Sequence, residues 1–478
     1  MEFIGTRDET VRKNFEEVLT GTLDPKGGLF LPKEFPHFSE NDIRAMRGLS
    51  YEDVAFRVMR PFLDQGFIFD KKLQYLIKES YRNFSDEERA PLKTLTENLS
   101  VQELHHGPTL AFKDYALQPV ARLIDHSLQR SNNFMNVLLA TSGDTGAAAI
   151  WAFKDCDHIA VFVLYPDGRI SNIQEPFMTT VQAEDVYALA VEQSTFDDCQ
   201  SMVKTCFNDP AFSKEYRLGA ANSINLARIV GQIPYYFYAA LQRGVFENNI
   251  SFVVPTGNFG DALAGHYARA MGLPIHKIVI ATNSNDILHR FVETGAMTTA
   301  RVTPTSSPSM DIQISSNFER LLFESLGGDR DTLTKHMQAL KKNGSFTVEK
   351  GAWAFIRNGF ASGRADEALT GQTIKKTYEN YNYLIDPHTA TGMATAWRIV
   401  KEGKFNTGEP LGKDEQIVSL ATASPAKFPH VVRDWTGITP QLPLGLRDLP
   451  TRPNVCKHPV GNNLEAIRAF VRAHAFTV

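Results

Sequence analysis

One lysine stands among small, apolar and turn-forming residues in the segment His105-His106-Gly107-Pro108-Thr109-Leu110-Ala111-Phe112-Lys113-Asp114. Burial penalises the charged form of a lysine and biases it toward the neutral amine. A neutral amine is a nucleophile that forms an imine with an aldehyde. Lys113 is therefore a candidate Schiff-base residue. The alternative is an ordinary lysine whose alkyl stem covers the core while its ammonium group stays in water.

Strand and helix patterns alternate on the carboxyl-terminal side of this segment. The predicted strands are 136–140, 159–164, 186–191, 251–254, 277–281 and 416–421, and helices are predicted at 147–153, from near Asn172, and at 197–207. This alternation predicts parallel sheets with helices on their faces. We therefore expect two α/β lobes, with ligands bound in the crevice between them at the carboxyl ends of the strands.

The 478-residue length predicts more than one domain. Residues 1–95 have helical patterns over 51–63 and 70–81 and are expected to form a separate helix-rich domain. We expect residues 96–132 and 221–478 to form a large domain, and residues 133–220 to form a small α/β domain.

Composition argues against several classes of protein. The net charge of −4 lacks the basic footprint of a nucleic-acid-binding protein. Four scattered cysteines without a CxxC pair fit a reducing compartment and argue against a disulfide scaffold or a structural zinc site. The acidic N-terminus lacks a signal-peptide pattern, and the longest weakly polar run, 229–242, is too short to span a bilayer. We expect a cytoplasmic protein with no metal, nucleic acid or membrane partner.

Two glycine-containing loops each join a predicted strand to a predicted helix. They are Thr141-Ser142-Gly143-Asp144-Thr145-Gly146 and Pro255-Thr256-Gly257-Asn258-Phe259-Gly260-Asp261. Free amides at a helix start attract a phosphate or a carboxylate. The first loop also fits an ordinary turn in which Asp144 or Thr145 caps the helix. Neither loop matches a dinucleotide fingerprint or a P-loop, so nucleotide binding is not indicated.

Further polar residues follow predicted elements. Thr422 and Ser424 follow the last predicted strand, although a Ser-Pro turn is also an ordinary way to end a strand. Arg228 is a candidate for pairing with an anionic substrate. The adjacent His105 and His106 do not predict a metal site, because sequence neighbours point apart. A lysine in apolar surroundings together with two anion-binding loops describes a pocket for a phosphorylated aldehyde cofactor, and pyridoxal phosphate fits that description.

With these residues assembled, the chain resembles the threonine synthases, pyridoxal phosphate enzymes that share their fold with tryptophan synthase β and cysteine synthase. The resemblance covers nearly the whole chain and is closest to the longer branch of the family. It is carried by the segments 24–29, 106–114, 142–146, 222–228, 257–261, 315–320, 386–392 and 421–428. It implies two α/β lobes of the tryptophan synthase β-like fold plus a helix-rich N-terminal domain.

The resemblance also implies roles for individual residues. Lys113 would carry the cofactor and act as the catalytic residue, and Thr422 would hydrogen-bond the pyridine nitrogen. The other cofactor contacts would be Gly257, Asn258, Phe259, Gly260 and Asp261 around the phosphate and Asp144 near the phenolic oxygen. The substrate contacts would be Ser142, Gly143 and Thr145 for the α-carboxylate, Arg228 and Lys427 for the departing phosphate, and Thr109.

Two positions depart from the family pattern. Asp144 stands where many relatives have asparagine, and His105 stands where an aromatic residue is common. A carboxylate beside an anionic substrate and a phenolate is unfavourable unless a proton is shared. At His105 we expect an altered pocket wall and unchanged chemistry.

The implied reaction is a carbon–oxygen lyase reaction, the last step of threonine biosynthesis. O-phospho-L-homoserine and water would give L-threonine and phosphate by γ-elimination and β-addition of water, with Lys113 moving several protons at a lowered pKa. One alternative is a threonine synthase-like phospholyase that releases 2-oxobutanoate from a phosphorylated amino acid. Another is a non-catalytic protein that binds pyridoxal phosphate or a phosphorylated metabolite. We expect a monomer or homodimer whose small domain closes over the cofactor.

Overall fold

The computed structural model describes residues 1–21 and 23–477, so Thr22 and Val478 lie outside the described part. The strands are β1 (Phe3–Gly5), β2 (Phe30–Pro32), β3 (Leu92–Thr96), β4 (Leu99–Glu103), β5 (Met135–Ala140), β6 (Ile159–Pro166), β7 (Val186–Val191), β8 (Leu218–Gly219), β9 (Asn249–Pro255), β10 (Ile275–Thr282), β11 (Ala296–Thr298), β12 (Ser345–Thr347), β13 (Phe360–Arg364), β14 (Glu415–Ala421) and β15 (Lys457–Val460).

The helices are α1 (Phe15–Thr20), α2 (Glu40–Arg44), α3 (Tyr51–Met59), α4 (Asp70–Tyr81), α5 (Lys113–Ser131), α6 (Asp144–Phe153), α7 (Pro176–Thr179), α8 (Phe196–Asn208), α9 (Pro210–Glu215), α10 (Leu226–Gln242), α11 (Gly260–Ala270), α12 (Ile287–Thr294), α13 (Phe318–Ser325), α14 (Arg330–Asn343), α15 (Lys350–Gly359), α16 (Glu367–Tyr381), α17 (Pro387–Glu402), α18 (Pro429–Thr436) and α19 (Leu464–His474). Short 3-10 turns lie at Arg60–Phe62, Pro308–Met310, Pro425–Lys427, Leu444–Leu446 and Leu449–Thr451.

The N-terminal helices pack against α5 and α10. Tyr51 of α3 makes edge-on contacts with Tyr81 of α4 and with Tyr115 of α5, at centroid distances of 5.0 and 5.7 Å. The Tyr81 hydroxyl donates to the Tyr115 carbonyl oxygen at 2.9 Å. Because aromatic pairs of this geometry add to the energy of burial, the N-terminal helices brace the helix that begins at Lys113.

The larger sheet has the strand order β13-β10-β9-β14-β4-β3. All its neighbouring strands are parallel except β3, which pairs antiparallel with β4. The carboxyl ends of β9, β14 and β4 therefore lie side by side. These three ends lead to the loop 255–261, to Thr422 and to the turn before Lys113, respectively. The topology thus gathers three candidate segments that are far apart in the sequence.

The smaller sheet is entirely parallel and has the order β15-β7-β6-β5-β8. Strand β5 leads into the first glycine loop and α6, so this loop reaches the crevice from the opposite lobe. Two α/β lobes with a helix-rich N-terminal region confirm the predicted fold class.

Most predicted elements are confirmed, and their ends differ by a few residues at most. The helix expected from near Asn172 is an exception, because only the four-residue helix α7, which starts at Pro176, forms there. In the described chain, no helix is long and apolar enough to cross a membrane.

Two short strands pair across the expected domain limits. Strand β3 lies within the range expected for the N-terminal domain, yet it pairs with β4 in the larger sheet. Strand β15 was expected in the large domain, yet Lys457–Val460 pairs with β7 of the smaller sheet. Both are short edge strands, and a short edge strand has little apolar alternation by which to recognise it.

We predict that Ile417→Ala destabilises the larger sheet by about 2–5 kcal/mol, because it leaves a cavity in a packed core. Ile417 is fully buried in β14, the strand that leads to Thr422. Chemical denaturation followed by fluorescence measures the change. Leu444→Ala is the control, because Leu444 is 80% exposed and its truncation should change stability by less than about 0.5 kcal/mol. Equal effects of the two substitutions would contradict the assigned core.

Candidate active site

A cavity lies where the ends of the two sheets face each other. Lys113 at the start of α5, Asp144 at the start of α6 and the loop before α11 all reach it. Its lining residues are Phe112, Lys113, Asp144, Thr145, Ser223, Arg228, Gln232, Pro255, Thr256, Gly257, Asn258, Phe259, Gly260, Asp261, Ser309, Met310, His388, Thr422 and Ala423. The structure therefore brings together most of the residues selected from the sequence.

The turn before Lys113 is built around the buried carboxylate of Asp114. This carboxylate accepts hydrogen bonds from the Thr109 amide and the Thr109 hydroxyl, both at 2.8 Å. Leu110 adopts a left-handed conformation with φ of 57°. The Phe112 amide donates to the Thr422 carbonyl oxygen at 2.9 Å. The Thr109 hydroxyl thus stabilises the lysine turn, and the structure does not place Thr109 on the cavity wall where a substrate contact was expected.

The Lys113 amine is surrounded mostly by protein. Its Nζ lies 3.4 Å from Asp144 Oδ2, and its side chain is only 12% exposed. Burial lowers the pKa of Lys113, and the positive charges of Lys427 and Arg228 lower it further, against the opposing effect of Asp144. A lysine in this environment is more readily neutral, as nucleophilic attack requires.

Asp144 is held by donors on both of its carboxylate oxygens. Lys427 Nζ lies 2.5 Å from Oδ1, and the Ser309 hydroxyl donates to Oδ2 at 3.1 Å. Burial raises the pKa of Asp144, but the charges of Lys427 and Lys113 outweigh burial and hold it well below its usual range. These contacts favour the ionised form of Asp144.

The sequence suggested Asp144 or Thr145 as the cap of the helix that follows the first glycine loop, but neither side chain caps α6. The Thr141 hydroxyl accepts from the amides of Gly143 at 3.0 Å and Gly146 at 2.9 Å, so Thr141 fixes the start of α6. Asp144 and Thr145 line the cavity, whereas Ser142 is exposed and does not line it. Gly143 also lies off the cavity wall.

The second loop has the form of an anion site. In the described chain, the backbone amides of Gly257, Asn258, Phe259 and Gly260 donate to no protein backbone acceptor. Phe259 has φ of 63° and directly precedes α11. A Cβ atom on Gly257 would lie 2.6 Å from the Ser309 carbonyl oxygen, so only glycine fits there. Free amides and the positive end of a helix dipole favour a phosphate at this position.

Asp261 is the second residue of α11 and follows the second loop directly. The hydroxyls of Tyr235 and Tyr236 donate to its Oδ1 at 2.6 and 2.8 Å. Burial raises the pKa of Asp261 to about 6, although these hydrogen bonds and Lys113 oppose the shift. Its Oδ2 is buried and has no partner among the described residues.

Arg228 is a buried cation on the cavity wall. Its guanidinium donates to the Ala221 carbonyl oxygen at 3.2 Å. Burial lowers the pKa of Arg228 to about 10, and no carboxylate of the described chain pairs with it. Because a buried cation without a counter-charge is unfavourable, Arg228 is suited to an incoming anion.

Lys427 does not lie where the resemblance had suggested. It is buried behind Asp144 and does not line the cavity. His105 also lies off the cavity wall, packed on His106 with ring centroids 4.9 Å apart. Burial lowers the pKa of His105 to about 4, so this imidazole is neutral at neutral pH.

The sequence prediction missed the side of the cavity formed by Ser309, Met310 and His388. His388 Nδ1 lies 2.7 Å from Asp386 Oδ2, and His388 Nε2 accepts from the Ser309 amide at 3.3 Å. The polar cluster around Asp386-Pro387-His388 was visible in the sequence. Its partner Ser309 lies in the short 3-10 turn Pro308–Met310, and no sequence pattern connects that turn to the cluster.

Comparisons with known proteins give consistent family matches along nearly the whole chain. The family described as pyridoxal-phosphate dependent enzyme matches residues 87–422, and the threonine synthase N-terminus and C-terminal families match residues 2–81 and 389–471. Threonine synthase of Pseudomonas aeruginosa is 43% identical over 475 residues, covering 99% of this chain and 98% of that protein.

Two solved structures show the same fold. The threonine synthase of Brucella melitensis with bound PLP has a TM-score of 0.94 and 44% identity, with 99% of both chains covered. The yeast threonine synthase has a TM-score of 0.92 and 40% identity, with 99% of this chain and 98% of that chain covered.

The residues of the cavity fit pyridoxal phosphate. Lys113 offers a buried amine for the aldehyde, and the amides of the loop 257–260 offer donors for the phosphate. Gly257 leaves the space that a side chain would fill. Thr422 lines the same cavity and brings a neutral hydroxyl to it.

We predict that Gly257→Ala weakens binding of pyridoxal phosphate by at least about tenfold, because the added methyl group displaces the loop or the Ser309 segment. Titration of the cofactor-free protein, followed by visible absorption, gives the dissociation constant. Gly351→Ala is the matched control, because a Cβ atom there meets no atom within 4 Å. Unchanged affinity in Gly257→Ala would rule out close approach of the cofactor to this loop.

Proposed function

The chain belongs to the threonine synthase family of pyridoxal phosphate-dependent enzymes, and we propose that the cavity around Lys113 converts O-phospho-L-homoserine and water into L-threonine and phosphate. The observation that carries this proposal is the Lys113 amine, whose pKa is lowered by burial beside two anion sites, the loop 257–260 and Arg228. A doubly anionic substrate and a phosphorylated aldehyde cofactor need this combination.

Bound pyridoxal phosphate supplies a ring that withdraws electrons from the α and β carbons of the attached amino acid. With pyridoxal phosphate bound, Lys113 would hold the cofactor when no substrate is present. The free Lys113 amine would remove one proton from Cα and one from Cβ as the phosphate leaves. Of these two protons and the one lost by the added water, one would go to Cγ, one would be returned by Lys113 to Cα, and one would go to the departing phosphate. A lowered pKa suits these transfers, because the amine must be unprotonated to accept and protonated to donate near neutral pH.

The chain fixes the cofactor at two ends. The amides of residues 257–260 would hold its phosphate, with Asp261 close by in the chain. Thr422 would offer a hydroxyl to the pyridine nitrogen. A hydroxyl at this position does not supply the negative charge that would keep the nitrogen protonated. Asp144 lies beside Lys113, on the side assigned to the phenolic oxygen.

The substrate is bound through its two anionic ends. We assign its phosphate to Arg228, the buried cation that no carboxylate of the described chain neutralises. We assign its α-carboxylate to Thr145 and to the start of α6, where Ser142 and Gly143 also lie.

The positions of Ser142 and Gly143 support closure of the small domain. Both lie outside the cavity wall in this structure. We propose that residues 133–220, together with strand β15 and helix α19, move as one unit toward the large domain when substrate binds. Such closure excludes bulk water while the phosphate departs and one water adds at Cβ.

The proposal includes a cytoplasmic location and a monomeric or homodimeric enzyme. All four cysteines are buried and unpaired, which supports a reducing compartment such as the cytoplasm. Lys113, Asp144 and Arg228 all come from a single chain, so a monomer or a homodimer can provide the complete site.

We predict that Lys113→Ala abolishes the visible absorption band of bound cofactor and lowers threonine formation by at least about a thousandfold. Lys277→Met is the matched control, since Lys277 is also buried but pairs with Glu409 at 2.5 Å, away from the cavity. Substantial phosphate release from O-phospho-L-homoserine by Lys113→Ala would refute the assigned role.

The reaction product separates the proposed function from its nearest alternative. Incubation with O-phospho-L-homoserine should release phosphate and threonine in equal amounts, which phosphate assay and NMR measure together. Equal amounts of phosphate and 2-oxobutanoate would instead identify a phospholyase. Cofactor binding without turnover would identify a non-catalytic binding protein.

Domain closure predicts a change in protease sensitivity. A non-reactive phosphonate analogue of the substrate should protect the chain at Ser142 from limited proteolysis, because closure would cover this exposed residue. Fragments are identified by mass spectrometry. Identical cleavage with and without the analogue would contradict closure.

A further inference from the structure

Lys427 is a buried basic residue that does not line the cavity. It is only 2% exposed, its Nζ lies 2.5 Å from Asp144 Oδ1, and it donates to the Thr109 carbonyl oxygen at 2.9 Å. The Phe177 ring covers it, with the ring centroid 5.4 Å from Nζ. Its ammonium group therefore already interacts with Asp144 and with the turn before Lys113.

The carboxylate of Asp144 is divided between two lysines. Oδ1 faces Lys427, while Oδ2 lies 3.4 Å from Lys113 Nζ and accepts from the Ser309 hydroxyl at 3.1 Å. The contact with Lys427 is much the shorter of the two. Lys427 and Asp144 thus form a buried ion pair, and Lys113 rests against its outer oxygen.

This order of contacts has an electrostatic consequence for Lys113. A lone carboxylate at that distance would favour the ammonium form of Lys113, which is not a nucleophile. The positive charge of Lys427 on the other oxygen cancels much of that attraction. The other charged or titratable groups that face the amine or Asp144 are Arg228, Asp261 and His388.

We propose that Lys427 is a positioning residue for Lys113: it neutralises Asp144, so that Asp144 aims the Lys113 amine without holding it in its protonated form. In this arrangement Lys427 does not bind the substrate phosphate. The inference rests on the proposed role of Lys113 as the residue that carries the cofactor, and it assigns a role to a charge that lies outside the cavity.

The test uses cofactor-free, full-length protein mixed with pyridoxal phosphate across a range of pH. The initial rate of attachment follows the unprotonated fraction of the Lys113 amine. Borohydride reduction and peptide mass spectrometry identify the labelled residue. Lys427→Met should move the midpoint of the pH profile upward by about one unit, which slows attachment by about tenfold at pH values below both midpoints.

Two further variants make the test independent of the folding of Lys427→Met. Asp144→Asn should move the midpoint downward, because the amine loses its carboxylate and still faces the charge of Lys427. The double variant Asp144→Asn, Lys427→Met should lie between the two single variants. If Lys427→Met does not fold, the double variant must still have a higher midpoint than Asp144→Asn alone.

Lys277→Met is again the control, because it removes a buried lysine from a carboxylate remote from Lys113. Its midpoint should equal that of the wild type. The proposal is overturned if Lys427→Met keeps the wild-type midpoint and raises only the KM for O-phospho-L-homoserine, since Lys427 would then bind the substrate phosphate. Labelling of a residue other than Lys113 in the wild type would instead refute the proposed function.

Discussion

The site depends on the burial of positive charge around a single ionised carboxylate. Lys427 and Arg228 are buried basic groups, Lys113 adds a further positive charge when it is protonated, and Asp144 is the carboxylate that touches both lysines. Excess buried charge of one sign is unfavourable unless a ligand supplies the other. An anionic cofactor and an anionic substrate both supply it, so the buried positive charge of the cavity favours their binding. The same excess lowers the pKa of Lys113 and makes its amine reactive.

The fold meets this requirement by bringing helix starts together. Helices α5, α6 and α11 all begin at the cavity, and each follows a strand of a parallel sheet, directly or through a turn. Parallel strands place their carboxyl ends at one edge, so the helices that follow direct the positive ends of their dipoles to the same crevice. The two sheets approach that crevice from opposite sides, so residues of both lobes line one cavity. The N-terminal helices contribute indirectly, through the tyrosine contacts that brace α5.

Much of this architecture could be predicted, because continuous apolar runs identify buried parallel strands and glycine loops mark where ligands approach. The prediction failed where structure depends on a distant partner. Strand β15 forms by pairing with β7, which is distant in the sequence. Near Asn172 the chain forms turns, and the expected helix is only the four residues Pro176–Thr179. His388 was not predicted because its contact Ser309 lies in a short 3-10 turn that is 79 residues away in the sequence. Local sequence contains the donor and acceptor types, but only the fold decides which donor meets which acceptor.

Thr109 and Lys427, which are neighbours in the fold although far apart in the sequence, illustrate this limit. Both lie in motifs that the resemblance connects with substrate, and both have polar groups suited to it. The Thr109 hydroxyl is already bonded to Asp114, and the Lys427 ammonium is already bonded to Asp144 and to the Thr109 carbonyl oxygen. A buried group gives up such bonds only at the cost of leaving its partner unsatisfied. These two residues therefore fix the turn before Lys113 and the carboxylate of Asp144, and the carboxylate at position 144 is buried together with the lysine that pairs with it.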